Sequence, residues 1–238
     1  NLRVTEPQTT ITGASMDIGA GNLCVVCHQA RRQFDNYFVG YINSSHWGPH
    51  HGPQSDVLFQ SNSYNFDGET YDNTIWHQSP NNVDGCVTCH VRTGGQNWTV
   101  GGHSFNMRAL AQGENGDPGS EIITDESCVG CHGDSFPGGD YEEFDYNGVQ
   151  TRVDGLMEEL HVLLEAEGVL SADGHPVNGI TKNPDGTADT LFVSDTVGGA
   201  MWNFMLVEED RSRGIHNPAF VLDILETSIE KLTPVPAK

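Results

Sequence analysis

Every cysteine in the chain stands in the same five-residue pattern. The six lie in Cys24-Val25-Val26-Cys27-His28, Cys86-Val87-Thr88-Cys89-His90 and Cys128-Val129-Gly130-Cys131-His132, and none is left over. Two thiols three positions apart share one face of a helical turn, close enough to add across both vinyl groups of a single porphyrin. The adjoining histidine then points an imidazole nitrogen at the metal. The spacing therefore predicts three covalently attached haem c groups, each with an iron. Cys24, Cys27, Cys86, Cys89, Cys128 and Cys131 would form the thioethers, and His28, His90 and His132 would be the proximal iron ligands. A disulfide framework gives no reason for a histidine after each pair. A zinc ribbon needs paired motifs or added ligands at fixed spacing, which the wide, unequal gaps do not supply.

Eight further histidines are available for the far side of each iron, more than three irons need. His50 and His51 lie in Gly48-Pro49-His50-His51-Gly52-Pro53, where flanking Gly and Pro make a rigid turn that presents an imidazole at little entropic cost. His103 sits in Gly101-Gly102-His103-Ser104-Phe105, a Gly-hinged loop that allows close backbone approach to a flat ring. His77 precedes the second motif in a polar stretch with no core role for a histidine. His216 directly precedes Asn217-Pro218, an N-cap and first-turn proline opening a helix. These five are the distal candidates. His46 ranks below them, and His161, on the edge of a helical apolar face, and His175, in a polar loop, read as structural. The five methionines read as core fillers, Met157 in a helix and Met201 and Met205 beside Trp202 and Phe204.

The elements that must position these groups divide the 238 residues. Residues 1–23 read as an extended N-terminal arm. Residues 24–148 form the three-haem region, loop-rich and with little periodicity, as expected where porphyrins replace side chains in the core. Residues 149–238 read as an α-helical lobe packing on that region within one integrated domain. Helices are expected over Val149–Leu170, Asp195–Arg211 and Pro218–Leu232, from apolar positions at helical spacing. The fold class is thus a multihaem cytochrome c: a haem-cored, loop-rich part followed by a helical C-terminal lobe.

Charge narrows the partners. With 33 acidic against 11 basic residues the net charge is −22, which repels phosphate backbones and anionic lipid and excludes nucleic acid. No apolar run approaches the ~20 residues of a transmembrane segment. A start at Asn1 without a leader fits a mature exported chain, extracellular, at the cell surface or periplasmic. Acid clusters at Glu114–Asp117 and Glu142–Asp145 are candidates for Ca²⁺, against the commoner solvated face.

The three motifs, together with Gly48-Pro49-His50-His51-Gly52-Pro53-Gln54, Gly102-His103-Ser104-Phe105 and Arg211-Ser212-Arg213-Gly214-Ile215-His216-Asn217-Pro218, resemble the multihaem c-type cytochromes of anaerobic respiration and extracellular electron transfer. The resemblance implies low-potential, bis-histidine haems stacked closely enough to pass electrons. It makes the His50/His51 pair and His103 the best distal candidates. It also implies redox proteins or extracellular acceptors as partners. Electron transfer is favoured over a multihaem reductase of a small nitrogen or sulfur oxyanion, because no altered motif such as Cys-x-x-Cys-Lys marks an open iron. Surplus histidines, an arm and few haems per chain also suit a homopolymeric filament, in which each copy lends a ligand to the next; the plainer reading is a monomeric shuttle.

Overall fold

The structure is a computed structural model that describes residues 4–71, 77, 82–92, 99–112, 118–123, 126–133 and 145–234. The acid cluster Glu114–Asp117 lies outside the described residues.

The C-terminal lobe is built on three long helices: α6 (Val149–Ala166), α7 (Asp195–Asp210) and α8 (Pro218–Leu232). α8 shows the expected stripe, with Phe220, Val221, Ile224, Leu225, Ser228 and Ile229 buried. Its start is fixed by Asn217, whose Oδ1 accepts from the Phe220 N–H at 3.3 Å. α6 ends at Ala166, four residues before the expected end, because Gly168 turns the chain at φ +75°.

α7 is the centre of the lobe. It is buried on every side from Val197 to Val207, packed by α6, α8 and an aromatic cluster from the haem region. Phe34, Trp47 and Tyr64 join Trp202 there, Trp47 and Trp202 meeting edge to face at 5.4 Å. Gly199 makes the approach possible, since a Cβ at that position would stand 2.1 Å from the Tyr64 ring. Two polar brackets hold the contact. Asn203 accepts from Tyr64 N–H at 2.8 Å and donates to Tyr64 O at 3.1 Å, and Trp202 Nε1 donates to Asn62 O at 2.6 Å. Buried groups left without such partners would each cost about 1–3 kcal/mol.

The haem region has only short elements among its described residues: α1 (Asn22–Val25), α2 (Phe34–Tyr37), α3 (Gln54–Leu58), α4 (Cys86–His90) and α5 (Glu126–His132), with a hairpin of β3 (Arg108–Gln112) and β4 (Pro118–Ile123). Residues 4–23 differ from the extended arm expected of them. β1 (Gln8–Thr9) pairs with β2 (Ser15–Met16), and Met16 and Ile18 are fully buried with Val25 in a second small core. Two or three apolar residues are too short a run to announce that burial. The fold-back places Ile18 against Gly85, where a Cβ would come within 2.7 Å of the isoleucine. That packing joins the approach to the second motif with the first.

Candidate functional site

Each Cys-x-x-Cys-His segment rides on a short helical turn. α4 and α5 contain the second and third motifs entire, and after α1 the His28 N–H closes a turn onto Cys24 O at 2.8 Å. The six thiols are free of disulfides. The motifs also abut one another. The Cys86 thiol hydrogen-bonds to Cys24, which with nearby His28 lowers the Cys24 thiol to about 6 against its burial, while the same bond and burial push Cys86 up. Cys131 is an electrostatic neighbour of Cys89, and the Ser127 hydroxyl stands 3.5 Å from Cys89 O. The order in space is therefore first, second, third motif.

Exposed apolar residues stand in or next to the motifs in sequence, Leu23, Val26 and Val129, and two more are exposed nearby in the chain, Val83 (62%) and Phe105 (56%), whose carbonyl meets His90. Exposed apolar side chains next to cysteines outside any disulfide fit the faces of a large planar hydrophobic group. The donor set fits it too, as the imidazoles show.

His90 Nδ1 lies 2.8 Å from Phe105 O, and His77 Nδ1 lies 2.6 Å from Ile215 O. A carbonyl only accepts, so each Nδ1 must carry the proton and each Nε2 keeps its lone pair for a metal. His28 Nδ1 meets Gln54 Oε1 at 2.9 Å. Gln54 is held in that sense by its own Nε2, which donates to Glu209 O and Asp210 O, both at 3.1 Å. His216 Nδ1 donates to Asp210 Oδ1 at 2.6 Å, on a carboxylate with no exposed surface. His51 Nδ1 stands 2.6 Å from Glu209 Oε2. Burial lowers the pKa of His77 and His90 and keeps them neutral, as a ligand must be. Burial opposes charging of His216 most, yet the Asp210 carboxylate and its hydrogen bond raise its pKa above the ordinary value.

The rings then pair. His90 and His216 have ring centres 6.2 Å apart, and His77 and His132 have theirs 6.3 Å apart. Two imidazoles bound trans through Nε2 at about 2.0–2.1 Å put their ring centres roughly 6.3 Å apart. Four of the eight expected iron ligands thus stand in two pairs at about that separation, and His132 also meets the Tyr146 ring at 4.3 Å. His50 and His51, adjacent in sequence, are 5.0 Å apart, and the buried His50 Nδ1 has no hydrogen-bond partner. His103 is exposed on the loop whose Phe105 carbonyl holds His90. His161 uses Nε2 itself on Ser171 O at 3.0 Å, and His46 and His175 are exposed.

Sequence reasoning missed the groups that orient these rings. Two are backbone carbonyls, which carry no side-chain signature. Asp210 and Glu209 did leave a signal: Glu208-Glu209-Asp210 ends α7, where acids oppose the helix dipole and need donors of their own. As for cations, Asp145 alone of the Glu142–Asp145 cluster is described, and its carboxylate caps α6 through Gln150 and Thr151 N–H. Among the described residues no group of three His, Cys, Asp or Glu could hold a bare metal ion.

The fold is similar to that of a cytochrome of known structure. Over 90% of its length the chain superposes on the crystal structure of the outer cell wall cytochrome OcwA, with a TM-score of 0.51 and 16% identity, covering 35% of that chain. It is also 25% identical over 259 aligned residues to the C-type polyheme cytochrome OmcC of Geobacter sulfurreducens, covering 92% of this chain and 31% of that protein. The chain thus spans about a third of the length of the relatives it matches. No protein-family model matches it.

Proposed function

We propose that the chain carries electrons through three covalently attached haem c groups, as a carrier or conduit in respiratory or extracellular electron transfer. The observation that carries this reading is the two histidine pairs at the ring separation of trans ligands, in which His77, His90 and His216 are each held by Nδ1. In it, His90 and His216 take the second iron and His132 and His77 the third. His28 takes the first, with His50 and His103 as candidates for its far side. Bound haem supplies a one-electron couple whose potential the ligands and their hydrogen bonds set. The chain's own residues hold each imidazole by its Nδ1, fix the tautomer and bring neighbouring motifs into contact, so that porphyrin edges lie close. The outer cell wall setting in the name of OcwA supports an exported, extracellular or periplasmic location, with redox proteins or extracellular acceptors as partners. Among the described residues no helix is long and apolar enough to cross a membrane. At a net charge of −22, docking would favour a basic partner and weaken as salt rises.

His216→Ala and His77→Ala test the reading. Each variant should keep three haem masses by intact-mass spectrometry and convert one low-spin iron to high spin by electron paramagnetic resonance. Native spectra in both variants would sink it.

One observation favours a second reading. Among the described residues no histidine ring pairs with His28 at trans spacing, as rings do with His90 and His132. An open first iron would make the chain a reductase of a small nitrogen or sulfur oxyanion, and tight nitrite or cyanide binding to one high-spin haem would decide for it.

A further inference from the structure

The last turn of α7 ends in Glu208-Glu209-Asp210 and contains no basic residue. Its end carbonyls and these carboxylates form one negative pole, to which the helix dipole alone contributes about half an elementary charge. Of the cations that follow, Arg211 is exposed and Arg213 pairs with Asp154. Imidazoles converge on this pole by separate routes. His216 Nδ1 donates to Asp210 Oδ1 at 2.6 Å, and that carboxylate has no exposed surface where water could weaken its field. Glu209 meets His51 Nδ1 at 2.6 Å. His28 is reached through Gln54, the first residue of α3. Gln54 Nε2 donates to Glu209 O and Asp210 O, both at 3.1 Å, and its Oε1 accepts from His28 Nδ1 at 2.9 Å. The same turn fastens the His28 backbone, since the Ser55 N–H and hydroxyl both donate to His28 O, at 3.0 and 2.5 Å. An amide held this way continues the hydrogen-bond chain of the helix, so the end of α7 polarises the His28 N–H. His77, by contrast, is held by the neutral Ile215 carbonyl. Negative charge behind an axial imidazole makes it a stronger donor and favours Fe(III) over Fe(II), which lowers the potential.

We propose that the end of α7 is a common control point for the first and second haems, reached through Gln54 and Asp210, and that it holds both below the third in potential. Gln54 is then a positioning residue for His28. An electron that leaves the first or second iron, oxidising it from Fe(II) to Fe(III), reduces the third from Fe(III) to Fe(II) and settles there. The row of haems is polarised toward its third motif. The inference rests on the ligation proposed above. A failed ligation shows in the spin states, and a failed control point shows in the midpoints of a protein that is still low-spin.

Spectroelectrochemistry of the three-haem protein resolves the midpoints. The low-spin signals lost in His216→Ala and His77→Ala assign the second and third haems and leave the first. The third midpoint should be the highest. Gln54→Leu should raise the first midpoint with all three haem masses kept. Glu208 is exposed and holds none of these imidazoles, yet Glu208→Gln removes a charge from the same helix end. It should raise the first and second midpoints, leave the third in place, and lose its effect as salt rises. Glu165→Gln, an exposed carboxylate on α6, should move none. Far-ultraviolet circular dichroism should show the helical signal of the native protein in each variant, which separates a change of field from a change of fold. A third midpoint below either of the others, a first midpoint unmoved in Gln54→Leu, or an equal shift of all three in Glu208→Gln would overturn the proposal.

Discussion

The two halves of the molecule solve opposite problems. The helical lobe buries its own side chains: α7 is wrapped on all sides, and Asn203 and Trp202 satisfy the backbone that packs on it. The haem region keeps Leu23, Val26 and Val129 exposed beside free thiols and spends few apolar residues on a core of its own. The division is not one of support and cargo, however. Asp210 and Ile215 belong to the lobe and hold His216 and His77, and the end of α7 holds Gln54 and, through it, His28. The packed lobe supplies the fixed groups that hold these imidazoles by Nδ1.

The contrast breaks most visibly if the haems are withheld. Protein produced with all six cysteines changed to serine should keep the far-ultraviolet helical signal of α6–α8, while limited proteolysis cuts freely within residues 24–132. Loss of both together in one transition would show that the lobe depends on the porphyrins as much as the loops do.

Within the lobe, Asn203→Leu should cost roughly 1–3 kcal/mol, because Tyr64 N–H loses its acceptor and Tyr64 O keeps only the Tyr71 hydroxyl. For a chain of this size, thermal unfolding should then fall by about 2–4 °C per kcal/mol. Gly199→Ala should cost about 1–3 kcal/mol through overpacking against Tyr64. In both variants, unchanged haem spectra below the transition would confirm that the lobe carries stability and the loops carry chemistry; an altered spin state would blur that line.

A finer probe crosses the boundary. Asp210→Asn keeps a hydrogen-bond acceptor for His216 but removes the charge, so one haem of the three should shift to higher potential while remaining low-spin. Spectroelectrochemistry reads this directly, and three unmoved midpoints would count against His216 as a ligand. The smallest effect belongs to His161→Ala: about 1 kcal/mol of stability from the lost bond to Ser171, with all three haem signals native.

How far these parts could be read beforehand follows from the same contrast. α7 and α8 were legible because buried helices leave apolar periodicity and because Asn217-Pro218 is a start signal. The three Cys-x-x-Cys-His segments were legible because their spacing is fixed, and the second and third lie on helical turns of their own. The pairing of His90 with His216, and of His132 with His77, was not. It depends on how the α7–α8 turn is aimed, and on carbonyls of Phe105 and Ile215 that any residue would supply. The N-terminal segment was read as an arm because its burial rests on Met16 and Ile18 alone, a signal too short to register.

The turn between α7 and α8 has one more consequence. Ile215 offers its carbonyl to His77, and the next residue, His216, offers its side chain to the gap facing His90. On the proposed ligation, a single peptide link is shared mechanically by two redox centres. A small tilt of that link, whether from partner docking or from a substitution in α8, would change the donor strength felt at both irons in one movement. The second and third haems should accordingly drift in potential as a linked couple. The first, leaning on Gln54, would keep its own tuning.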